Sequence, residues 1–231
     1  NYQCAEGHAE LACTGVKANG QTFAARMSFS PATYDAEPCI QVVIRAETGN
    51  AELEEKLREI SSQDLVTGLY NRTHFLELMD AAAERAVNAG QTASLAYIRL
   101  DRYASLLAET GLAGIDLLLT DLANLLRAHF AGSAQLARFG DDVFSALLIG
   151  QSAEQSQHSL QELLKNVEGH LFDVNGRTLQ TTLSIGVAGL NEKTPRAQDV
   201  VDRAHRCADE LASGNALKLF NPADELAAAA S

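Results

Sequence analysis

Apolar and polar positions alternate near the start of the chain. Phe23, Ala25, Met27 and Phe29 interleave with Ala24, Arg26 and Ser28, which predicts a half-buried strand after an Asn19-Gly20 hairpin turn. A loop holding Pro31 and Pro38 leads to a second strand, Cys39-Ile-Gln-Val-Val-Ile-Arg45. From residue 50 the period changes. Leu53, Leu57 and Ile60 stand at heptad spacing, and Glu54 faces Arg58 at i,i+4, so residues 49–62 predict a charged helix. That helix is either a solvated connector or a coiled-coil lever, and two heptad turns do not choose between them. Phe75, Leu76, Met79, Ala83 and Ala86 predict an amphipathic helix. Residues 93–101 read as a buried strand ending in Arg99-Leu-Asp101. A second helix is expected over 114–130, a third over 153–168 and a last one over 196–212. Between them lie a hairpin over 138–149, a turn at 172–177, a core strand at 180–188 and a closing strand at 216–220. Strands alternating with helices, plus antiparallel hairpins, predict an α/β fold with a mixed central sheet flanked by helices.

Composition narrows the function classes. Of the 231 residues, 46% are hydrophobic, which is enough for a packed core. The net charge of -12 without a basic run argues against a nucleic-acid surface. No apolar stretch is long enough to span a bilayer and no signal peptide is visible, so no membrane partner is expected. Cys4, Cys13, Cys39 and Cys207 are scattered without metal spacing and read as free thiols of a reducing cytoplasm. The histidines form no cluster, and none is assigned a metal. Because the first residue is Asn1, a longer protein is expected.

The segment Arg138-Phe-Gly-Asp-Asp-Val-Phe144 is the most informative one. It reads as a strand, a two-residue turn with Gly140 at its tip and a second strand, and adjacent carboxylates there suit phosphate or metal chemistry. It resembles the signature hairpin of GGDEF domains, which condense GTP into cyclic di-GMP. Three further motifs follow that family's order: Asp64-Leu-Val-Thr-Gly-Leu-Tyr-Asn-Arg72, Leu183-Ser-Ile-Gly-Val-Ala188, and Asn215 followed by Phe220. The resemblance implies a nucleotidyl-cyclase-like fold over residues 63–222. Residues 1–48 resemble the C-terminal part of a PAS sensor domain, 49–62 would connect the two, and 223–231 would begin a linker toward an EAL domain.

The resemblance also implies which residues should carry chemistry, and several are changed. Gly-Asp-Asp-Val-Phe (Gly140, Asp141, Asp142, Val143, Phe144) stands where the family has Gly-Gly-Asp-Glu-Phe. The family's metal-binding Asp falls on Arg99, with Asp101 two residues on. Arginine cannot ligate Mg²⁺, and Val143 offers no oxygen. The guanine-recognising Asn and Asp fall on Leu107 and Asp116. A later Asp and a phosphate-binding Lys fall on His205 and Ala212. The Arg-x-x-Asp motif of product inhibition falls on Ala131 and Ala134. Asp116 has a bland alternative as a helix-dipole residue, and Asp142 one as an ordinary hairpin-tip residue.

These changes imply a catalytically inactive GGDEF domain, without metal or cofactor, acting as a regulatory or scaffolding module in cyclic di-GMP signalling. The layout resembles PAS-GGDEF-EAL regulators of type IV pili with degenerate sites. Implied partners are a downstream EAL domain in the same chain and a second copy through the PAS and connector segments. The alternatives are a GTP-binding regulatory module without turnover, or an active cyclase with unusual metal use. Arg99 is expected to pair with Asp141 or Asp142 in place of the metal; the bland alternative is that it points to solvent.

Overall fold

The computed structural model describes residues 9–16, 18–20, 22–34, 37–46, 61–191, 196–211 and 214–223. The predicted connector helix and C-terminal linker, and Ala212, fall largely or wholly outside them. The chain divides into two compact units, Asn1–Ser61 and Ser62–Ser231.

The first unit holds a three-stranded antiparallel sheet in the order β1 (Ala9–Val16), β2 (Thr22–Tyr34), β3 (Glu37–Ala46). The two prolines do not form a loop as expected. Pro31 lies in β2 opposite Ile40, and Pro38 lies in β3 opposite Thr33. Among the described residues the β1 ladder reaches Ala9↔Phe29, and at Pro31 β2 is paired with β3. The register sets Leu11, Met27 and Ile44 side by side.

The second unit is a six-stranded mixed sheet between two helical layers. Its strand order is β11 (Ala216–Leu219), β10 (Leu183–Leu190), β5 (Ala93–Leu100), β7 (Val143–Ile149), β6 (Gln135–Arg138), β4 (Tyr70–Asn71). The outer pairs β10/β11 and β4/β6 are parallel; the inner pairs are antiparallel. Strand β5 is apolar at most positions, Ser94 and Arg99 apart, because both faces are covered. Ala96, Ile98 and Leu100 join the core formed with α2 (Tyr103–Phe130) and α3 (Ala153–Gly169). Leu95 and Tyr97 join the opposite core with α1 (Arg72–Ala89) and α4 (Ala197–Asp209). A small hairpin, β8 (Phe172–Val174) with β9 (Arg177–Leu179), precedes β10.

Two local signals set the helix starts. Asn71 caps α1 by accepting from His74 N at 3.0 Å. Ser152 and Gln155 form a reciprocal capping box on α3. Helix α2 begins eleven residues before the expected start at 114, and is broken at Gly111 (φ 70°, ψ 179°). Its first segment was hidden in the sequence because Leu106 is its only buried side chain.

Candidate functional site

The loop Phe139–Asp142 joins β6 to β7. It has four residues where a two-residue turn was expected, because Phe139 N and Gly140 N both donate to Val143 O (2.7 and 3.1 Å) and close a wider turn. Gly140 is exposed and does not adopt positive φ. Asp141 is exposed, Asp142 half-buried, and Val143 and Phe144 are buried.

The opening motif packs against this loop. Asp64 Oδ1 accepts from Thr67 N (2.8 Å) and Thr67 Oγ1 (2.7 Å), forming a tight side-chain-closed turn. Asp64 Oδ2 lies 3.5 Å from Arg138 Nη1, and Arg138 Nη2 donates to Asp141 O at 3.2 Å. Arg72 stacks over the Phe139 ring at 4.8 Å. β4 pairs with β6 at Tyr70↔Ala137 and Asn71↔Arg138.

Beside the loop lies a cleft of about 470 Å³ lined by Arg99, Asp101, Arg102, Tyr103, Asp142 and Thr182 among others. Leu100 N donates to Asp142 O at 2.8 Å and holds the loop to the end of β5. Arg99 and Val143 stand opposite each other in the β5–β7 register. The expected pairing of Arg99 with Asp141 or Asp142 is not found. Arg99 shares a sheet face with Tyr97, the face covered by α4, and its guanidinium goes to the last turn of that helix. Nη1 lies 2.5 Å from Asp209 Oδ1, and Nη2 donates to Ala208 O at 3.0 Å. His205 Nε2 lies 3.1 Å from the other Asp209 oxygen.

Asp101 is held by three protein donors. Oδ1 accepts from Ser184 Oγ (2.7 Å), and Oδ2 from Thr182 Oγ1 (2.6 Å) and Asn215 N (3.0 Å). Its backbone N–H donates to Thr182 O at 3.0 Å. It therefore ties the end of β5 to the starts of β10 and β11. This accounts for the serine of the Leu183–Ala188 motif. The glycine of that motif has another reason: a Cβ on Gly186 would overlap the Ala204 carbonyl and the Ala208 N–H of α4.

Leu107, Asp116, Ala131 and Ala134 do not line this cleft. Leu107 is half-buried and packs on the apolar core. Asp116 is exposed on α2. The Tyr103 hydroxyl is pushed up from its ordinary value by burial, then by Asp141, against the lowering effect of Arg138; Asp142 and Asp116 add smaller raising contributions. Ala131 ends α2 at φ 45°. Ala134 lines a separate cavity of about 410 Å³ with Gln63, Arg127 and Gln135. There Arg127 donates to Thr67 O (2.7 Å) and Asn124 Oδ1 (3.0 Å).

A divalent cation does not fit this site. The two facing strand positions carry a guanidinium and an isopropyl group, and the carboxylate of Asp101 is engaged by three protein donors. Among the described residues no group of three His, Cys, Asp or Glu side chains converges as a metal site.

Residues 61–215 match the family described as diguanylate cyclase, GGDEF domain, and the chain belongs to that family. The crystal structure of the FimX GGDEF domain from Pseudomonas aeruginosa is 61% identical in sequence, covers 69% of this chain and 99% of its own, and superposes with a TM-score of 0.67. The probable diguanylate cyclase DgcE of Escherichia coli K12 is 27% identical over 163 residues, 71% of this chain and 15% of its own length. Diguanylate cyclase A of Treponema denticola is 25% identical over 158 residues, 67% of this chain. The match spans 43% of that relative's length, so the chain covers less than half of either of these two relatives.

Asp209 escaped the reading of the sequence as a partner for Arg99. A signal was there: an acidic side chain in the last turn of a helix opposes the helix dipole and calls for a cation nearby. Arg138 and Asp64 were visible only as parts of motifs, because their pairing joins residues 74 positions apart in the chain (138 less 64).

Proposed function

We propose that this GGDEF domain is catalytically silent and works as a regulatory or scaffolding module in cyclic di-GMP signalling. The carrying observation is the facing pair Arg99 and Val143. A cyclase of this family must hold divalent cations against a triphosphate, and that electrostatic stabilisation is the main source of rate in phosphoryl transfer. Here a fixed cation and an apolar side chain occupy the two positions, and Asp101 serves the sheet. The identity to the FimX GGDEF domain supports a place among PAS-GGDEF-EAL regulators of type IV pili and twitching motility. In that arrangement residues 1–48 are the end of a PAS-like sensor. Its sheet leaves Leu11, Ile40, Val42 and Ile44 45–71% exposed, an apolar surface of the kind that marks a contact site. Residues 49–62 connect, 63–222 form the silent domain, and 223–231 lead toward an EAL domain.

The test is incubation of the purified chain with GTP and Mg²⁺, followed by chromatography for cyclic di-GMP. No product above a boiled control is expected; turnover would overturn the reading. A second reading, GTP binding without turnover, has one observation in its favour. The cleft persists, and Arg102, Tyr103 and Ala104 line it at a helix start with no side-chain cap. GTP titration by calorimetry separates the two readings.

A further inference from the structure

The loop Phe139–Asp142 is held from two sides. On one side Leu100 N binds Asp142 O, which fixes the rim of the cleft lined by Arg99–Ala104. On the other, Arg138 links that loop to the place where the chain enters the domain. Its guanidinium contacts Asp64 Oδ2 at 3.5 Å and donates to Asp141 O at 3.2 Å. The pair is largely enclosed, with side-chain exposures of 14% for Arg138 and 21% for Asp64, so solvent screens it weakly. Asp64 is no floppy terminus. Thr67 and the backbone bonds Asp64 N to Leu69 O and Gly68 N to Asp64 O (2.8 and 2.7 Å) make it one rigid turn. That turn begins two residues after Ser62, the first residue of the second unit.

We propose that the Asp64–Arg138 pair is a conformational relay: a displacement of the chain entering the second unit moves the Asp64 turn, and through Arg138 moves the Phe139–Asp142 loop and the cleft rim. The relay gives the domain a way to report the state of the preceding unit without chemistry, and it rests on the regulatory reading above. An ion pair suits the task because its two partners sit on separate elements, the Asp64 turn and the end of strand β6, and it couples them side chain to side chain. The Arg72–Phe139 stack and the short β4/β6 ladder run parallel to it and keep the loop's apolar residue seated.

The experiment is amide hydrogen exchange on the full chain, read at the peptide spanning Phe139–Asp142 and at Leu100. Arg138→Gln is expected to speed exchange there at least fivefold while β10 and α4 keep native protection. Arg127→Gln is the control. It releases the same opening loop at Thr67 O, does not touch Asp141, and is expected to leave Phe139–Asp142 unchanged. A two-residue insertion between Ser61 and Ser62 should speed exchange in Phe139–Asp142 of the native chain, and should add nothing further in the Arg138→Gln background. Should Arg138→Gln lose protection everywhere, Arg138→Lys carries the test, because it keeps the charge and removes the forked contact to Asp141. No change at the loop, an equal effect of Arg127→Gln, or additive effects of insertion and substitution would each overturn the relay. Cyclase turnover would overturn the silent reading instead, so the two failures are distinguishable.

Discussion

Arg99 at the end of β5 grips Asp209 in the last turn of α4, with Nη1 2.5 Å from Oδ1, and also caps the Ala208 carbonyl. One guanidinium thereby offsets an acidic side chain and a free carbonyl at the negative end of a helix. The side chains are 26% and 49% exposed, so solvent screening keeps the contribution modest. Arg99→Ala is expected to destabilise the domain by about 1 kcal/mol. Asp209→Ala should cost less, and the double variant little more than Arg99→Ala alone. Urea unfolding of the four proteins reads the coupling; strictly additive losses would show that the pair contributes nothing.

Asp101 should be far less tolerant. Its carboxylate satisfies Ser184, Thr182 and the Asn215 N–H at the meeting of three strands. Asp101→Ala would leave those donors without their acceptor, at a cost of about 3 kcal/mol. A catalytic carboxylate shows the opposite pattern, loss of activity with stability kept. A melting temperature of the variant within a degree of the native value would contradict the structural role.

The layers of the fold were legible because burial repeats along the chain. The run from Ala93 to Leu100 reads as a doubly covered strand, and Phe75, Met79 and Ala83 mark the inner face of α1. The site was legible in position but not in contact. Arg99 was identified as the changed residue, yet its partner was sought in the loop 43 residues ahead (142 less 99), when strand alternation aims it at α4. Which face a strand-end side chain takes depends on what covers that face, and this is a tertiary property. Pro31 and Pro38 misled for the same reason, since only the pairing of β2 with β3 shows that both lie in strands.

Cyclic di-GMP is expected not to bind the second unit tightly. By the family resemblance the inhibitory pair falls on Ala131 and Ala134, and Arg127, the cation in the neighbouring cavity, already donates to Thr67 and Asn124. Without a charge-assisted fork the ligand loses its strongest contacts. Calorimetry on the full chain should show no saturable heat at concentrations of about 1–100 μM. A stoichiometric isotherm that survives Arg127→Gln would place binding elsewhere, and one abolished by it would make Arg127 the replacement anchor.

Stability should respond to pH through two rings, the half-buried His129 and the buried Tyr97. Burial pushes the His129 imidazole below its ordinary 6.5, outweighing contacts with Ser159 and Glu162 that raise it. The folded state therefore resists a proton that the unfolded chain accepts. Stability from this group is present above pH 6.5 and is lost as pH falls through the lower folded value. Burial pushes the Tyr97 phenol above its ordinary 10.0, helped by Asp142 and Asp209 and opposed by Arg99 and Arg72. That contribution is present below pH 10.0 and fades as pH rises through the folded value. His129→Gln should flatten the acid limb of a melting-temperature profile and leave the alkaline limb unchanged. An unaltered acid limb would assign the effect to other groups.

Two glycines of the family motifs should behave in opposite ways. Gly186 sits in β10 where α4 crosses, and a methyl group there would overlap the helix backbone at Ala204 and Ala208. Neither partner can yield, because the helix buries Val200, Ala204 and Ala208 against the sheet. Gly186→Ala is expected to cost about 3 kcal/mol or more, at the upper end for overpacking a core. Gly140, the first glycine of the hairpin loop, meets only the Val143 side chain, at 3.5 Å from an added Cβ, and its φ is not positive. Gly140→Ala should therefore change stability by less than about 0.5 kcal/mol. The contrast separates two reasons for a glycine. At Gly186 the fold itself demands it. At Gly140 the fold does not, so what remains is room for something that approaches the loop from outside. Paired thermal melts of the two variants decide the matter. A large loss at Gly140 would mean the loop is strained in a way its dihedral angles do not show, and a small one at Gly186 would mean α4 can slide off the sheet.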